Sequence, residues 1–571
     1  MLGKTNGLNE LSTEQRRVIR GWCMYDWANS GFATSAVVAI LPVYFVFLFK
    51  DAFGEEANFF GVTVTGSSMW SLGVVISTTF VALTSPILGI IADRIPVKKT
   101  FLWIYTAVGS IFTILSFFSA YTGAAWAWVF GSFVIANIGF AGGLVFYNSF
   151  LPHLVPKHLL DNVSSRGYAY GYIGGGLLLA FHLGLIVMAG DSVYSDLVTR
   201  LALASVGLWW FGWALWTFRT VPEPSITNPS TDLNVFKAVS LALSQLTSTI
   251  KEIRRFKVVA IYLGAFLLFN DGIQTVLTIA GAFAADTLGV SLTFNMVTIL
   301  IIQLIAAPGA IYFSRLAGRI RAKRALVISL IGWCGVVLLG IGVAPSAPGT
   351  HEDFDYQVQY ESASSAYSIV EIPSLSDSPR DLLWLEVQGY HAEPSDLNQT
   401  EVADFASFVG SHESSRFTLS VVGGPLDGLQ VIGPVHPSNL TGPIDFWPRL
   451  LRENLWGPLG MTADYQWLLL GILVGVVMGG SQALARSIFA YITPETRSGE
   501  FFGFFGFISR ASAVFGPIVY VLFTSVYDTR TAVFAILSII IVGTLMLRWV
   551  DVEKGRQIAI DEDIRDNEIG T

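Results

Sequence analysis

Asp26, Asn29, Ser30, Ala33 and Thr34 fall at i, i+3, i+4, i+7 and i+8, so a helix would gather them on one small polar face inside an apolar run. An ionisable group at membrane depth costs about 2.5–3.5 kcal/mol on insertion scales and is kept where it meets a cavity or a partner. The chemistry open to such a face is binding of a polar solute, or uptake and release of a proton. Asp271, Thr275 and Thr278, flanked by Asn270 and Gln274, repeat the pattern in a second apolar run. Arg510 stands near the middle of a third run, and a guanidinium stays charged at any relevant pH. It therefore calls for an anion, either Asp271 within the chain or the carboxylate of a solute. Gln482 and Arg486 share a face at i and i+4, Asn137 is a candidate cavity group, and Asn148 lies nearer a helix end. Arg486 is so close to the end of its apolar run that it reads as part of a gate. The plainer readings are an interfacial cap or ion pair for Asp26, a structural ion pair for Arg510, and simple packing for the lone His182.

The elements that must position these groups are membrane spans. Of 571 residues, 53% are hydrophobic and only 13% charged, with 41 Phe, 16 Trp and 55 Gly, a composition that excludes a soluble globular chain. The net charge of −8 argues against nucleic acid as a partner. Cys23 and Cys334 both lie in apolar runs and support neither a disulfide framework nor a metal site. No Walker-type phosphate loop, Ser-His-Asp arrangement or metal-ligand cluster is present, so neither a cofactor nor an enzymatic activity is expected.

Twelve apolar stretches are long enough to span, centred on 22–49, 68–92, 100–121, 125–150, 166–190, 197–218, 257–285, 292–315, 325–345, 464–490, 501–525 and 530–550. The first exceeds a signal h-region and contains Asp26 and Asn29, so it reads as a retained helix. Alternate loops are basic (Arg16, Arg17, Arg20; Lys98, Lys99; Arg166; Lys251, Arg254, Arg255; Arg315 to Arg324), and the others carry Asp51, Glu55, Glu56, Asp191, Asp196 and Asp286. The positive-inside rule then predicts cytoplasmic termini. The organisation expected is a six-helix bundle over 1–220, a cytoplasmic linker at 221–256 with an amphipathic stretch from Val235 to Ile253, a second bundle from 257–345 and 462–555, and a cytoplasmic tail at 556–571. Residues 346–461 interrupt the second bundle. Alternating runs at Tyr356 to Tyr360, Leu383 to Val387 and Arg416 to Val421 predict a small β-rich domain outside the cytoplasm. That insert holds sixteen Asp and Glu but only four Arg, a net charge of −12, which leaves the membrane body at +4. Its two sequons, at Asn398 and Asn439, carry little weight.

The halves repeat. Ala92-Asp93-Arg94 with Lys98-Lys99 matches Ala317-Gly318-Arg319 with Lys323-Arg324 at an offset of 225. Gly142-Gly143 through Asn148 matches Gly480-Ser481 through Arg486 at 338, and Gly171-Tyr172 matches Gly506-Phe507 at 335. Removing the 116 residues of the insert reduces the last two to 222 and 219, so all three nearly agree.

Twelve spans, a central linker and this repeated basic loop resemble the major facilitator superfamily. Gly89 through Asp93 and Arg94 to Lys98-Lys99 is similar to its signature between helices 2 and 3, with Pro96 in place of Gly; Gly318 replaces the acid of the second copy, which implies a weaker second gate. Tyr25-Asp26-Trp27-Ala28-Asn29-Ser30, Phe146-Tyr147-Asn148-Ser149-Phe150-Leu151-Pro152, Ser165-Arg166-Gly167-Tyr168, Asn270-Asp271-Gly272-Ile273-Gln274-Thr275 and Gly479-Gly480-Ser481-Gln482 through Arg486 resemble the unknown-major-facilitator family. That family includes fungal vacuolar amino-acid effluxers linked to autophagy and many bacterial permeases. The resemblance implies an all-α transporter fold and export of a small solute such as an amino acid. The insert is not part of the family pattern.

The combined expectation is a monomeric secondary transporter surrounded by membrane lipids. Two bundles rock around a site drawn from Asp26, Asn29, Asn137, Asn270, Asp271, Gln274, Gln482 and Arg510, with protons as the coupling ion. A cytoplasmic gate is expected at Asp93, Arg94, Lys98, Lys99, Asn148, Arg166, Arg319, Lys323, Arg324 and Arg486; the plainer reading of its cations is topological anchoring. The expected location is the plasma membrane, or the vacuolar membrane in a fungus. The rivals are a receptor that binds a ligand or protein through the insert, and a lipid translocator.

Overall fold

The computed structural model describes residues 11–53, 56–59, 62–190, 192–226, 256–288, 292–344, 348–362, 364–373, 384, 396–413, 415–436, 438–440, 442–512, 515–527 and 529–569. Most of the linker, including Val235 to Ile253, and the run from Leu383 to Val387 apart from Trp384 lie outside the described residues.

Twelve helices are long and apolar enough to cross a membrane: helix 1 (Thr13–Phe53), 2 (Met69–Arg94), 3 (Lys98–Tyr121), 4 (Ala125–Leu154), 5 (Lys157–Ala189), 6 (Ser195–Thr220), 7 (Lys257–Ala280), 8 (Val297–Ile320), 9 (Ala322–Ile341), 10 (Ala463–Ile492), 11 (Ser498–Tyr520) and 12 (Thr529–Trp549). All twelve expected stretches are there. Two are irregular. Helix 1 is π-helical over Phe32–Ile40, immediately before Pro42. Pro42 has no N–H to give the carbonyl four residues earlier, and a wider register is one way to re-satisfy the backbone. Helix 11 comes as two pieces, Ser498–Ala511 and Phe515–Val526.

Packing follows the repeat. Contacts of helix 4 with 2 and 3, and of 3 with 6, are mirrored by contacts of helix 10 with 8 and 9, and of 9 with 12. The bundles meet chiefly along helix 2 against helix 11 and helix 5 against helix 8. Small residues let the first pair touch backbone to backbone: a Cβ on Gly503 would lie 2.8 Å from Pro86 Cα, and one on Gly499 2.6 Å from the Gly89 carbonyl oxygen. Past helix 12, a C-terminal helix (Val552–Ile569) returns to this same end of the bundle, where Thr496 N–H and hydroxyl both donate to Asp563 at 2.9 Å. This end carries the start of helix 1 and the C-terminal helix and is called the terminal face below.

At the opposite face, an antiparallel hairpin of β1 (Glu56–Phe59) and β2 (Val62–Thr65) joins helices 1 and 2. Between helices 9 and 10 stand β3 (Tyr356–Glu361), β4 (Ala366–Glu371), β5 (Asp396–Leu397), β6 (Thr418–Val422) and β7 (Gln430–Ile432), ordered β5-β4-β3-β6-β7. The β3–β6 pair is parallel and the others antiparallel. A helix (Gln399–Ser411) lies between β5 and β6 in the chain, capped at Asn398, whose side chain accepts from two backbone N–H groups. Alternate strand residues Tyr356, Val358, Tyr367, Ile369, Leu419 and Val421 build a core of their own with Trp384, Phe405 and Phe417. The segment that follows is stapled to the bundle: Trp447 and Trp456 donate to the Leu338 and Gly342 carbonyls at the end of helix 9, both at 2.9 Å.

Candidate functional site

The polar stripe of helix 1 packs on a stripe of glycines on helix 5. A Cβ on Gly167 would lie 2.6 Å from Asp26 Oδ2, and one on Gly171 2.6 Å from Ser30 Oγ; Thr34 donates to the Gly175 carbonyl at 3.1 Å. The stripe of helix 1 is therefore covered by helix 5. Only glycine at position 167 leaves room for the Asp26 carboxylate, so the two helices close over it.

Arg486 of helix 10 completes this group. Its Nη1 lies 3.3 Å from Asp26 Oδ2 and 3.2 Å from Asn148 Oδ1, its Nε donates to Ser164 Oγ at 2.9 Å, and its Nη2 donates to the Ser164 carbonyl at 2.7 Å. The guanidinium sits 4.1 Å from the Tyr168 ring centroid and also faces Trp22 and Tyr147. Tyr147 donates its hydroxyl to Asp26 at 2.7 Å. Asp26 and Arg486 are both buried, at 5% and 2% exposure. Taking two charges out of water costs several kcal/mol per ion and is tolerated only when hydrogen bonds and geometry are nearly complete. The magnitudes here are uneven. Charge-assisted N–H to carboxylate bonds are usually about 2.7–2.9 Å, so the ion pair at 3.3 Å is the long contact in the group, while those of Asp26 with Tyr147 and of Arg486 with Ser164 are short. Arg486 is seated on helix 5 and Asp26 on helix 4, and the charges face each other across the joint between the halves. Asn148 and Arg486, matched by the repeat, touch each other there.

A second joint lies beside it. Asp93, at the end of helix 2, accepts the Gly499 and Glu500 backbone N–H groups, each at 2.8 Å, at the start of helix 11. These are orphan donors of a helix N-terminus, where a carboxylate is favoured. Lys98 pairs with Asp93 at 2.7 Å and donates to Ser498 Oγ at 2.7 Å. Glu223 in turn accepts the Lys98 and Lys99 N–H groups at 2.7 and 2.8 Å, capping helix 3. Arg497 bridges Glu500 and Glu562 of the C-terminal helix, and Lys157 reaches Glu495 at 2.9 Å. Arg94 is half-buried, whereas Arg166, Arg319 and Arg324 are exposed and stand outside these contacts.

The second copy of the basic loop behaves differently. Gly318 is open to its surroundings, and Lys323 Nζ donates to the Val550 carbonyl at 2.7 Å, at the end of helix 12 in its own half.

The other expected site groups are dispersed. Gln482 accepts the Tyr172 hydroxyl at 2.5 Å, a further contact between helices 10 and 5. Asn137 donates to Ser77 within the first bundle at 2.7 Å, and Asn29 is buried one turn from Asp26. Asn270 donates to Ser512 at 2.5 Å, between the pieces of helix 11. Asp271 is buried where helix 7 meets the second piece: a Cβ on Gly516 would lie 3.0 Å from its Oδ2 and would overlap Thr275. The pairing of Arg510 with Asp271 is not made, and no ion pair engages Arg510 among the described residues. Gln274 is half-buried on the same helix. His182 contacts Ser205 at 2.7 Å within the first bundle, as a packing residue would.

Tyr147, Ser164, Tyr168, Glu223, Ser498 and Glu500 were not singled out from the sequence. The motifs holding Tyr147 and Tyr168 stood out, yet hydroxyls give no signal of their own; Gly167 between Arg166 and Tyr168 was the available hint of a close approach.

A polar joint of this kind, inside twelve spans arranged as two repeated bundles, defines a membrane transporter of the major facilitator superfamily that moves small solutes. The chain belongs to the family described as "Vacuole effluxer Atg22 like", which matches residues 14–370 and 439–559. Similar proteins include the uncharacterized MFS-type transporter YxiO of Bacillus subtilis, 23% identical over 94% of this chain and 96% of that one, and autophagy-related protein 22 of Kluyveromyces lactis, 20% identical over 96% of both. Autophagy-related protein 22-1 of Aspergillus niger is 23% identical over 70% of this chain; the chain covers about half of that protein, 49%. In fold the chain is similar to a bacterial homologue of the iron transporter ferroportin in its outward-facing state (TM-score 0.52, 11% identity, 94% of this chain, 99% of that one) and to the proton:xylose symporter XylE (TM-score 0.50, 11% identity, 94% and 95%).

Proposed function

We propose that this chain exports a small polar solute such as an amino acid by alternating access, with Asp26 as the proton-coupling group and the terminal face turned to the cytoplasm. The observation that carries the reading is the Asp26–Arg486 contact, the longest in a buried group that joins helices 1, 4 and 5 to helix 10. Protonating Asp26 removes the only carboxylate given to Arg486 there and leaves a buried cation uncompensated, at a cost of several kcal/mol. Neutral hydrogen bonds return about 0.5–1.5 kcal/mol each, or 1.5–3 to a charged group, so the balance shifts towards a state in which Arg486 reaches water or a solute carboxylate. The closed terminal face is held in parallel by Asp93 and Lys98 on helix 11. Arg510, charged and without an ion pair among the described residues, is the group offered to a solute carboxylate once the bundles rock, with Asn270, Asp271 and Gln274 beside the interruption in helix 11 as its polar surroundings.

The cytoplasmic assignment rests on charge. Arg16, Arg17, Arg20, Lys98, Lys99, Arg166, Arg315, Arg319, Lys323 and Arg324 all belong to the terminal face, and the insert of net charge −12 stands at the other. The expected location is the cell membrane, or the vacuolar membrane in a fungus, and helices of one chain complete the joint, so a monomer suffices. Counterflow of a labelled amino-acid mixture in proteoliposomes tests the function. Transport driven by a pH gradient in the wild type and insensitive to it in Asp26→Asn is the expected result; identical gradient dependence in both proteins overturns the coupling, and absence of any amino-acid flux overturns the solute class.

A further inference from the structure

Helices 1 and 6 pack side by side, yet at the terminal face they part around a groove of about 900 Å³. Arg16, Arg17 and Arg20 line it from helix 1, with Arg20 one turn from the other two, and Trp213, Trp216 and Arg219 line it from helix 6 at one-turn spacing. Gly212 forms part of the second wall; a Cβ there would meet nothing within 4 Å, so the floor is held open by the missing side chain. Buried cations elsewhere on this face have carboxylate partners: Lys98 has Asp93, Arg486 has Asp26, and Arg497 has Glu500 and Glu562. No hydrogen bond or ion pair engages the four guanidinium groups of the groove among the described residues. Four uncompensated positive charges therefore share one concave surface.

What fits that charge is set by the wall above it. Leu201, Leu208 and Trp216 of helix 6 lie at seven- and eight-residue spacing and are 50%, 64% and 46% exposed, an apolar stripe that runs from the groove up the outside of the bundle. Trp213 and Trp216 are stacked with centroids 6.5 Å apart at its foot, the arrangement of an interfacial belt. We infer that the groove is a binding site for the headgroup of an anionic phospholipid: the phosphate is held by Arg16, Arg17, Arg20 and Arg219, and the acyl chains lie along the helix 6 stripe. An acidic peptide or a nucleic acid would satisfy the arginines but not the stripe. The site is separate from the transport joint, and a receptor or a transporter would carry it equally.

The test is lipid retention by the full-length protein, purified from vesicles of phosphatidylcholine and phosphatidylglycerol and followed by native mass spectrometry and thermal stability. Selective retention of phosphatidylglycerol is expected. Each arginine near a membrane surface contributes attraction equivalent to about a five-fold change in affinity, so R20Q/R219Q weakens retention by about 30-fold. Gly212→Trp fills the groove without altering charge and also abolishes selectivity. The exposed pair R315Q/R548Q, on the same face but outside the groove, leaves selectivity unchanged. Equal loss in R315Q/R548Q would show diffuse surface attraction and overturn the site, as would full retention in Gly212→Trp. Stabilisation by inorganic phosphate matching that by phosphatidylglycerol would reduce it to a free-anion site and overturn the lipid assignment.

Discussion

The two basic loops descend from one repeated sequence and do different work. The loop after helix 2 crosses into the other half: Asp93 accepts the first N–H groups of helix 11, and Lys98 locks that carboxylate in place. The loop after helix 8 has Gly318 where Asp93 would stand, and Lys323 turns back to its own half at the Val550 carbonyl. At the position that matches Gly499, helix 5 offers Ser164, and Arg486 of helix 10 grips it there. The same closure is thus made once by a loop anion on a helix N-terminus and once by a cation lodged between helices. Both bury their charges, Lys98 at 3% exposure and Arg486 at 2%; the first sets its carboxylate on the orphan N–H groups of a helix N-terminus, which favour an anion, whereas the second depends on Asp26 at 3.3 Å. The two halves thus hold the terminal face by different means, a helix-capping carboxylate in one and a guanidinium paired with Asp26 in the other.

The comparison breaks most directly at Arg486. Arg486→Gln strands Asp26 in a buried group and is expected to lower stability by about 3–5 kcal/mol, read as a large fall in thermal midpoint and loss of flux. Adding Asp26→Asn to it removes the stranded charge, so the double variant is expected to recover most of the stability while remaining inactive. Asp93→Asn comes next. Weaker acceptance from Gly499 and Glu500 and loss of the Lys98 pair should cost about 1–3 kcal/mol of the closed state, seen as increased labelling of single cysteines at the terminal face. Gly318→Asp sharpens the comparison by restoring the missing acid at a position with free space around it. A gain of about 0.3–1 kcal/mol is expected, enough to raise closed over open by about 2- to 5-fold. Lys323→Gln should be the smallest, within about 0.5 kcal/mol, since its contact lies within one half and is partly exposed; unchanged flux and thermal midpoint are the expected readings.

The twelve spans were legible because hydropathy over about 20 residues is a local property, and the insert because Tyr356 to Tyr360 and Arg416 to Val421 alternate. The insert's parallel β3–β6 pair, which sets Tyr356 opposite Leu419, had no local signal. Of the site, Asp26 and Arg486 were both recognised as costly residues, but they were given separate roles, one in a solute site and one in a gate. Their contact spans 460 residues, and no periodicity reports it. The expected pairing of Arg510 with Asp271 is not made among the described residues, and no periodicity within helix 7 or helix 11 reports how the two helices are set against each other. Of the groove between helices 1 and 6, only Arg16, Arg17 and Arg20 were read, as topological cations, because Trp213, Trp216 and Arg219 reach it from a distant part of the chain.

The central claim is that protonation of Asp26 releases Arg486 and opens the terminal face. It is tested most directly by spin labels at His158, on helix 5, and Lys554, on the C-terminal helix, with Cys23 and Cys334 replaced, measuring the distance between them from neutral to acidic pH. The expected result is a distribution that lengthens on acidification in the wild type and is already long and independent of pH in Asp26→Asn. A short distance in Asp26→Asn at neutral pH, or the same lengthening with pH in both proteins, would contradict it.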